Sequence, residues 1–211
     1  VEFDGSTATA PGTFPMLDVV VELESRDENV SMPQVVTLPD LASADSGQQT
    51  VMLDITGAST APIAVQSPTI TNLSLAGPLG TIITLGGAVG GAANVDVNVT
   101  PVAANQIPMP LPSGLQGSSF VTIQPSDAAF DKNDGSGQGL DIVLPNAQGL
   151  PVGAMVDIWS FDHDVNDWVN RSDETGEVGM VVDNGGTLEI QATGVITEGG
   201  WHTAGLVVDS D

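Results

Sequence analysis

The stretch that decides the fold is residues 94–102, which read NVDVNVTPV. Val95, Val97 and Val99 alternate with Asp96, Asn98 and other polar residues. A period of two places the valines on one face of a β-strand and the polar side chains on the other. One apolar and one polar face are typical of an antiparallel sheet that packs against a core on one side.

Runs of the same kind recur along the chain, bounded by Gly, Pro, Asn and Asp, and no stretch has a helical period. In the run 49–57 the alternation predicts that Val51, Leu53 and Ile55 share a buried face. Asn184 and Gly185 supply the positive φ angles that a tight hairpin needs. The sequence therefore predicts an all-β fold, an antiparallel β-sandwich. Further predicted strands lie in residues 16–24, 120–124, 140–145, 155–162, 178–192 and 204–209.

Alternate prolines at Pro108, Pro110 and Pro112 interrupt this pattern. Proline cannot donate to a sheet ladder, and this spacing favours polyproline II. We therefore predict a link at residues 108–115 between an N-terminal β region, 1–107, and a C-terminal β-sandwich, 116–211. With 211 residues the chain has room for two sandwich-like units or for one elongated sandwich, in which N-terminal strands complete the C-terminal sheet.

The chain is strongly acidic, with 27 Asp and Glu against 3 Lys and Arg and a net charge of −24. Such a surface repels nucleic acid and anionic lipid, so neither is an expected partner. The chain has no cysteine, which excludes disulfides and leaves the compartment open. It begins without Met, and we interpret this start as either a processed or an artificially shortened N-terminus. Sequons at Asn29, Asn72, Asn98 and Asn170 give weak support for an exported protein. We expect an extracellular or cell-surface location.

Residues 55–95 contain no charged side chain. Gly, Pro, Thr and Asn interrupt the run, which lacks the apolar continuity of a spanning helix, so we predict no membrane insertion. Two interpretations remain. The run forms buried strands with a glycine-rich bend, or it presents a neutral face that packs against another subunit.

From about Val95 onward the order of motifs resembles a module repeated in large exported surface proteins of bacteria and some archaea. The pieces that carry the resemblance are VTPVAANQIPMPLPSG at 99–114, TIQPSDAAF at 122–130, PNAQGLPVGAMVDIWSFDHDVNDW at 145–168, GMVVDNGG at 179–186 and GVITEGGWH at 194–202. The module is similar to the β-sandwich domain of ankyrins, tight-junction scaffolds and netrin receptors. The resemblance implies a structural or adhesive building block of the cell envelope, not an enzyme.

The chain departs from the module in two places. The link between TIQPSDAAF and PN is expanded to DKNDGSGQGLDIVL, and residues 1 to about 60 have no counterpart in it. Some related domains cleave themselves at a His-Phe-Ser step. The order here is Ser160, Phe161, Asp162, His163, so the resemblance does not imply self-cleavage for this chain.

Two acidic loops are candidate calcium sites, because Ca²⁺ prefers six to eight oxygen ligands. The first holds Asp162, Asp164, Asn166 and Asp167. Its alternative is a structural turn in which the carboxylates accept hydrogen bonds from backbone amides. The second loop holds Asp131, Asn133 and Asp134, followed by Asp141.

The sequence contains no clear set of catalytic residues. His163 and His202 form no recognisable metal motif, because no third ligand is fixed by spacing. Ser160, Asp162 and His163 lie too close along one strand and turn to converge as a triad, and no G-x-S-x-G elbow is present. We therefore expect no enzyme and no resident cofactor other than Ca²⁺.

The sequence as a whole predicts a secreted structural protein, a subunit or repeat of a filament, sheath or adhesin. Its expected partners are further copies of itself or other surface proteins. Assembly would use strand pairing by an N-terminal segment, residues 1–15, together with apolar contacts from the charge-free run. The alternative is a calcium-dependent extracellular binding or adhesion module.

Overall fold

The computed structural model describes residues 46–86, 93–107, 109–162 and 164–207, and its strands lie in one compact unit, Leu41–Asp211. The expected strand at 16–24 and the expected assembly segment at 1–15 lie outside the described residues. A 3₁₀ turn, Ala104–Gln106, and one short helix, α1 (Arg171–Thr175), accompany the strands. The strands are β1 Gly47–Leu53, β2 Ile63–Gln66, β3 Ser74–Gly77, β4 Ile82–Leu85, β5 Ala93–Pro101, β6 Leu115–Gln124, β7 Ala128–Asp131, β8 Leu140–Pro145, β9 Met155–Asp162, β10 Asp167–Asn170, β11 Gly179–Asn184, β12 Thr187–Ile196 and β13 Gly200–Val207.

Eleven of the described strands form one sheet, in the order β1-β5-β6-β13-β9-β11-β12-β8-β3-β2, with β10 paired to β9. Strands β4 and β7 form a second, two-stranded sheet. Every described pairing is antiparallel. The predicted all-β, antiparallel fold is confirmed.

The large sheet bends back on itself, so that its two end strands, β1 and β2, come side by side. The Gln49 side chain joins them: its Oε1 accepts a hydrogen bond from the Ala64 amide at 2.6 Å, and its Nε2 donates to the Pro62 carbonyl at 3.2 Å. One side-chain amide thus satisfies backbone groups that an unpaired sheet edge would leave open. The sheet is therefore nearly closed around a single core.

The valines that led the prediction of strand β5 lie in this core. Val95 is 3% exposed, and Val97 and Val99 are fully buried. Fully buried Ile123 of β6 and Ile142 of β8 belong to the same apolar cluster. Residues from both ends of the strand order therefore bury their apolar face together.

The described part of the predicted link, residues 109–115, falls between two strands of the large sheet. Strand β5 comes before it and β6 after it, yet the two pair directly, with Pro101 opposite Val121. Strand β3 likewise pairs with β8. Within the described residues the arrangement is therefore one sheet shared by both sides of the proline run, because strand pairing ignores the local break that prolines impose.

Two local predictions are wrong by a short distance. Strand β1 ends at Leu53, and Ile55 is 79% exposed in the following turn. In the β11–β12 hairpin Asn184 pairs with Thr187, so the two turn residues are Gly185 and Gly186, at φ 63° and 92°. Two glycines adopt positive φ without the steric cost that a side chain imposes.

The described part of the charge-free run forms three short strands, β2, β3 and β4, and the first three residues of β5. Burial alternates along β2 and β3, so these strands are buried on one face, not fully. Ile63, Val65, Leu73, Leu75 and Ile83 belong to the apolar core. No helix among the described residues is both long and apolar enough to cross a membrane.

Candidate functional site

The first acidic loop is the hairpin between β9 and β10. Asp162 and Asp167 are directly opposite each other at its base. Asp162 Oδ1 accepts hydrogen bonds from the amides of Asp164 at 2.8 Å and Val165 at 3.4 Å. Asp167 Oδ1 accepts from the Trp168 amide at 2.8 Å. The carboxylates of Asp162 and Asp167 thus hold this turn together, as the alternative interpretation describes.

Local sequence explains why the chain turns here. Asn166 adopts φ 55°, a left-handed conformation that Asn tolerates better than most residues. After β10, Asn170 Oδ1 accepts from the Ser172 amide at 3.0 Å and caps helix α1. Gly176, at φ 74°, ends the helix. One turn of helix therefore presents Arg171 back toward β9.

Arg171 is the centre of the site, and its side chain is only 7% exposed. Its Nε donates to Ser160 Oγ at 2.6 Å and its Nη1 to Glu174 at 2.5 Å. Its Nη2 reaches Asp162 Oδ2 at 3.2 Å and also contacts Glu198 Oε1. A buried guanidinium is stable only when charged partners and acceptors surround it, and three carboxylates do so here.

The surroundings of Asp162 and Arg171 shift the pKa of each of these two groups. Burial alone would raise the pKa of Asp162, but the amides of Asp164 and Val165 and the charge of Arg171 outweigh burial and lower it. Burial likewise opposes the charge of Arg171, and its bond to Glu174 and the charge of Glu198 outweigh burial and raise its pKa. Asp162 and Arg171 are therefore both held in their ionised forms.

Ser160 is fully buried, and both hydrogen-bonding roles of its hydroxyl are used. Its Oγ donates to Glu198 Oε1 at 2.8 Å and accepts from Arg171 Nε at 2.6 Å. The burial of this hydroxyl closes it off from a substrate in this conformation. Ser160 connects strand β9 to the ion-pair cluster.

His202 lies directly opposite Ser160 in the β13–β9 ladder and is fully buried. Its Nε2 is 3.1 Å from the Glu198 carbonyl, and its Nδ1 has no hydrogen-bond partner among the described residues. Burial first, and then the charge of Arg171, lower its pKa to about 3. The ring is therefore neutral near pH 7. His163, its proposed metal partner, lies outside the described residues.

Together these contacts define the Arg171 cluster: Arg171, Ser160, Asp162, Glu174, Glu198 and His202. Only Ser160, Asp162 and His202 were singled out from the sequence. The one available signal for Arg171 was its rarity, since it is one of 3 basic residues beside 27 acidic ones. Nothing in the spacing pointed to Glu174 or Glu198.

The second acidic loop connects β7 to β8 and is built in the same way. Asp131 Oδ1 accepts from the Asn133 amide at 2.6 Å, and Asn133 adopts φ 60°. Asp134 Oδ1 accepts from the Ser136 hydroxyl and amide, which lower the pKa of Asp134. Asp141 pairs with Lys132 at 2.7 Å. The first loop joins two paired strands, β9 and β10, whereas the second joins β7 and β8, which lie in different sheets.

An open cleft of about 590 Å³ lies beside the Arg171 cluster. Asp127, Asp162, Asp164 and Glu198 line it, together with Phe161. Phe161 packs edge to face on buried Trp168, with ring centroids 5.9 Å apart. Among the described residues, no three His, Asp or Glu side chains are grouped closely enough to hold a metal ion.

Comparison with known proteins adds no further evidence, because no family model matches the chain and no curated protein is similar enough to match. The resemblance to an exported surface module stays a prediction, carried by the motifs alone. The motifs WSFDHD and GWH do meet in space, since Ser160 and His202 are ladder partners and Asp162 contacts Arg171.

Proposed function

We propose that this chain is a secreted structural protein, a subunit or repeat of an extracellular filament, sheath or adhesin. It assembles through strand pairing and apolar contacts with further copies of itself or with other surface proteins. The observation that carries the proposal is the exposure of large apolar side chains in the charge-free run, on a protein whose net charge is −24.

Ile55 is 79% and Leu79 63% exposed. Their loops are joined: the Ser59 amide donates to the Thr81 carbonyl at 2.8 Å, and the Gly80 amide donates to the Ser59 carbonyl at 3.0 Å. Both residues therefore stand on a braced surface. Single exposed apolar residues are common on protein surfaces, but two of them on joined loops of an uncharged run favour a contact surface.

Charge explains why contact would occur here. Two copies of a chain with 27 acidic residues repel each other across most of their surfaces. Residues 55–86 carry no charge, so bringing two copies together on this surface costs the least electrostatic free energy. Apolar burial there contributes about 25 cal/mol per Å².

Strand pairing would fix the orientation of one copy relative to the next in the polymer. Among the described strands, β10 pairs with β9 alone and leaves its other side open. An incoming extended segment, such as residues 1–15 of a neighbouring copy, could add to such an edge with backbone hydrogen bonds. Deletion of residues 1–15 is then expected to dissolve filaments that persist in a calcium chelator.

The direct test replaces Ile55 and Leu79 together by Ser. Both are exposed, so we expect the unfolding free energy to change by less than about 1 kcal/mol while polymers seen by electron microscopy and sedimentation disappear. The matched control is Val152→Ser with Met155→Ser, residues 60% and 59% exposed outside the run. If both double variants assemble equally well, the surface around Ile55 and Leu79 is not the assembly contact.

A calcium-dependent extracellular binding or adhesion module is the second candidate, favoured by the acid-lined cleft beside Asp162 and Asp164. Its test is thermal melting with Ca²⁺ and with chelator. Calcium that binds only the folded chain raises Tm, by the equivalent of about 2.7 kcal/mol at a hundred times Kd. The matched variant is Asp164→Asn, because Asp164 is exposed and lies outside the Arg171 cluster.

A further inference from the structure

A second concave surface, the β6 groove, opens at one end of the large sheet. Its volume is about 450 Å³, within the range of pockets that hold ligands. Its lining includes Leu73, Pro101, Ala104, Phe120 and Pro145, and none of its lining residues is charged. The groove is therefore an uncharged recess on a strongly acidic chain.

The serine hydroxyls of the groove are already satisfied within the chain. Ser118 Oγ donates to the Ala204 carbonyl at 3.3 Å, and Ser119 Oγ donates to the Pro145 carbonyl. An occupant does not have to supply partners for these hydroxyls. What the groove offers it is mainly apolar surface.

The β6 groove and the exposed loops of the charge-free run lie at opposite ends of strand β3. Leu73, which lines the groove, comes directly before β3, and Leu79 follows the other end of this strand. A strand of four residues separates its two ends by about 13 Å. Leu79 is therefore held away from the groove of its own chain.

Strands β1 and β5 show the same arrangement. They run antiparallel, with Leu53 opposite Ala93 at one end. Ile55 follows Leu53 at that end, whereas Pro101, which lines the groove, closes β5 at the other end. Each copy therefore carries an apolar projection at one end of these strands and an apolar recess at the other.

The described residues offer no free Lys or Arg for ion pairs between copies. Within the described part of the chain these side chains are Lys132 and Arg171, which are 11% and 7% exposed and already pair with acids of the same chain. Contact between two copies therefore costs the least electrostatic free energy where both surfaces are uncharged. The loops at Ile55 and Leu79 and the β6 groove meet this condition together.

We propose that Leu79 of one copy enters the β6 groove of the next copy, with Ile55 packed at the rim of that groove. This inference rests on the proposed function and names the two surfaces that meet. A contact between different surfaces of identical chains is heterologous, and it continues from copy to copy where the rotation does not close a ring. Because the projection and the recess lie at opposite ends of the strands, each copy that docks presents a new groove.

The test uses two blocked variants of the full chain. The groove-blocked variant is Ala104→Asp, because Ala104 is exposed and the new carboxylate would be buried by the incoming loop. The loop-blocked variant is Ile55→Ser with Leu79→Ser. In sedimentation, each should raise the concentration at which polymers form by about tenfold or more. The matched control, Ala103→Asp, adds the same charge at an exposed residue outside the lining and should stay within about twofold of the unaltered chain.

Mixing the two blocked variants tests the pairing itself. The groove-blocked variant keeps its loops and the loop-blocked variant keeps its groove, so one intact contact remains between them. We expect the mixture to form dimers with one copy of each variant, whereas each variant alone stays monomeric. Circular dichroism establishes that both variants are folded, and folded variants that form no such dimer would overturn the inference.

A cross-link provides a second measurement that does not alter Leu79, Ile55 or Ala104. The chain has no cysteine, so a Pro78→Cys chain is mixed with an Ala147→Cys chain, both at exposed positions, and treated with a short bismaleimide. We expect links between positions 78 and 147 of different chains. Links mainly between two copies of position 78 would overturn the inference, because the loops would then meet each other.

The outcomes separate this inference from the proposed function. Polymers that are lost in the loop-blocked variant but kept by Ala104→Asp would reject the groove as the partner surface and leave the proposed function standing. Polymers that persist in both blocked variants would reject both surfaces as assembly contacts. An unaltered chain that stays monomeric at every concentration tested would reject the proposed function together with this inference.

Discussion

Replacing Arg171 by Met tests whether the Arg171 cluster is a main source of stability. Met keeps an unbranched stem but removes every guanidinium donor. Ser160 then loses a bond of 2.6 Å, and Asp162 and Glu198 lose their cation while their side chains are only 22% and 29% exposed. Glu174 is 49% exposed and regains water, so it adds little.

The expected cost follows from the buried partners. Removing one member of a buried ion pair costs about 3–5 kcal/mol, because the other member stays buried and unpaired. Since Asp162 and Glu198 keep some contact with water, we expect about 3 kcal/mol, at the lower end of that range. For a chain of this size that free energy corresponds to a fall in Tm of about 6–12 °C.

The measurement is urea unfolding followed by circular dichroism, with Lys132→Met as the matched control. Lys132 also pairs with an acid at 2.7 Å, but that partner, Asp141, is 41% exposed and also accepts from the Gly194 amide. The control should cost less than about 1 kcal/mol. Adding Glu198→Gln to Arg171→Met should recover about 1 kcal/mol by removing a stranded charge. A cost for Arg171→Met no larger than that of the control would refute the reasoning.

Three further predictions concern the same fold. The pKa of His202 is about 3 in the folded chain, against an ordinary value of 6.5, so between these pH values only the unfolded chain binds a proton at this ring. The contribution of His202 to stability is therefore full above pH 6.5 and falls by up to about 5 kcal/mol as the pH drops toward 3. In unfolding measured against pH, His202→Gln should flatten this slope. In denaturant unfolding, Gly199→Ala should cost about 3 kcal/mol or more, because a Cβ there would lie 1.9 Å from the Pro125 carbonyl oxygen. The control, Gly149→Ala, is at φ 66° with open space around it and should cost only about 1–2 kcal/mol. Equal costs for the two variants would contradict the steric argument. Gln49→Ala removes both side-chain hydrogen bonds that join β1 to β2. It should lower the free energy of unfolding by about 1–3 kcal/mol and speed amide hydrogen exchange at Ala64. Unchanged exchange at Ala64 would show that the contact between β1 and β2 does not depend on this side chain.

The sequence predicted strands well where one face is buried over several residues. β5, β6, β8, β9, β11 and β12 all fall within or around predicted runs, because alternation records which face meets the core. Strands β2, β3, β4, β7 and β10 were not predicted individually. Each of them has only four residues, so a period of two is hardly established before the strand ends.

Strand order could not be read in the same way. The period shows which side of a strand is buried but carries no information on which strand lies beside it. The pairing of β5 with β6 across the proline run, and of β3 with β8, depends on how the whole core closes. For this reason a local feature at 108–115 predicted a boundary, although the sheet continues across it.

The acidic loops show a different limit. Asp at alternate positions of a turn is compatible with calcium ligation and with amide capping, because both use the same carboxylate oxygens. The structure shows Asp162 and Asp134 accepting amide bonds, which sequence could only offer as an alternative. Asp162 also contacts a cation, Arg171, nine positions later in the chain, and no spacing rule connects the two.

The pairing of Ser160 with His202 gives the motif WSFDHD…GWH a physical meaning. Strands β9 and β13 are neighbours although about 40 residues separate them, so residues at both ends of the motif face one buried guanidinium. Ser160 bonds to it, Asp162 and Glu198 neutralise it, and His202 stays neutral beside it. Ser160, Asp162 and Glu198 each bond to the guanidinium, whereas Nδ1 of His202 has no partner among the described residues. The motif therefore constrains how the sheet closes. The proposed contact surface, the charge-free loops at Ile55 and Leu79, consists of residues outside WSFDHD and GWH.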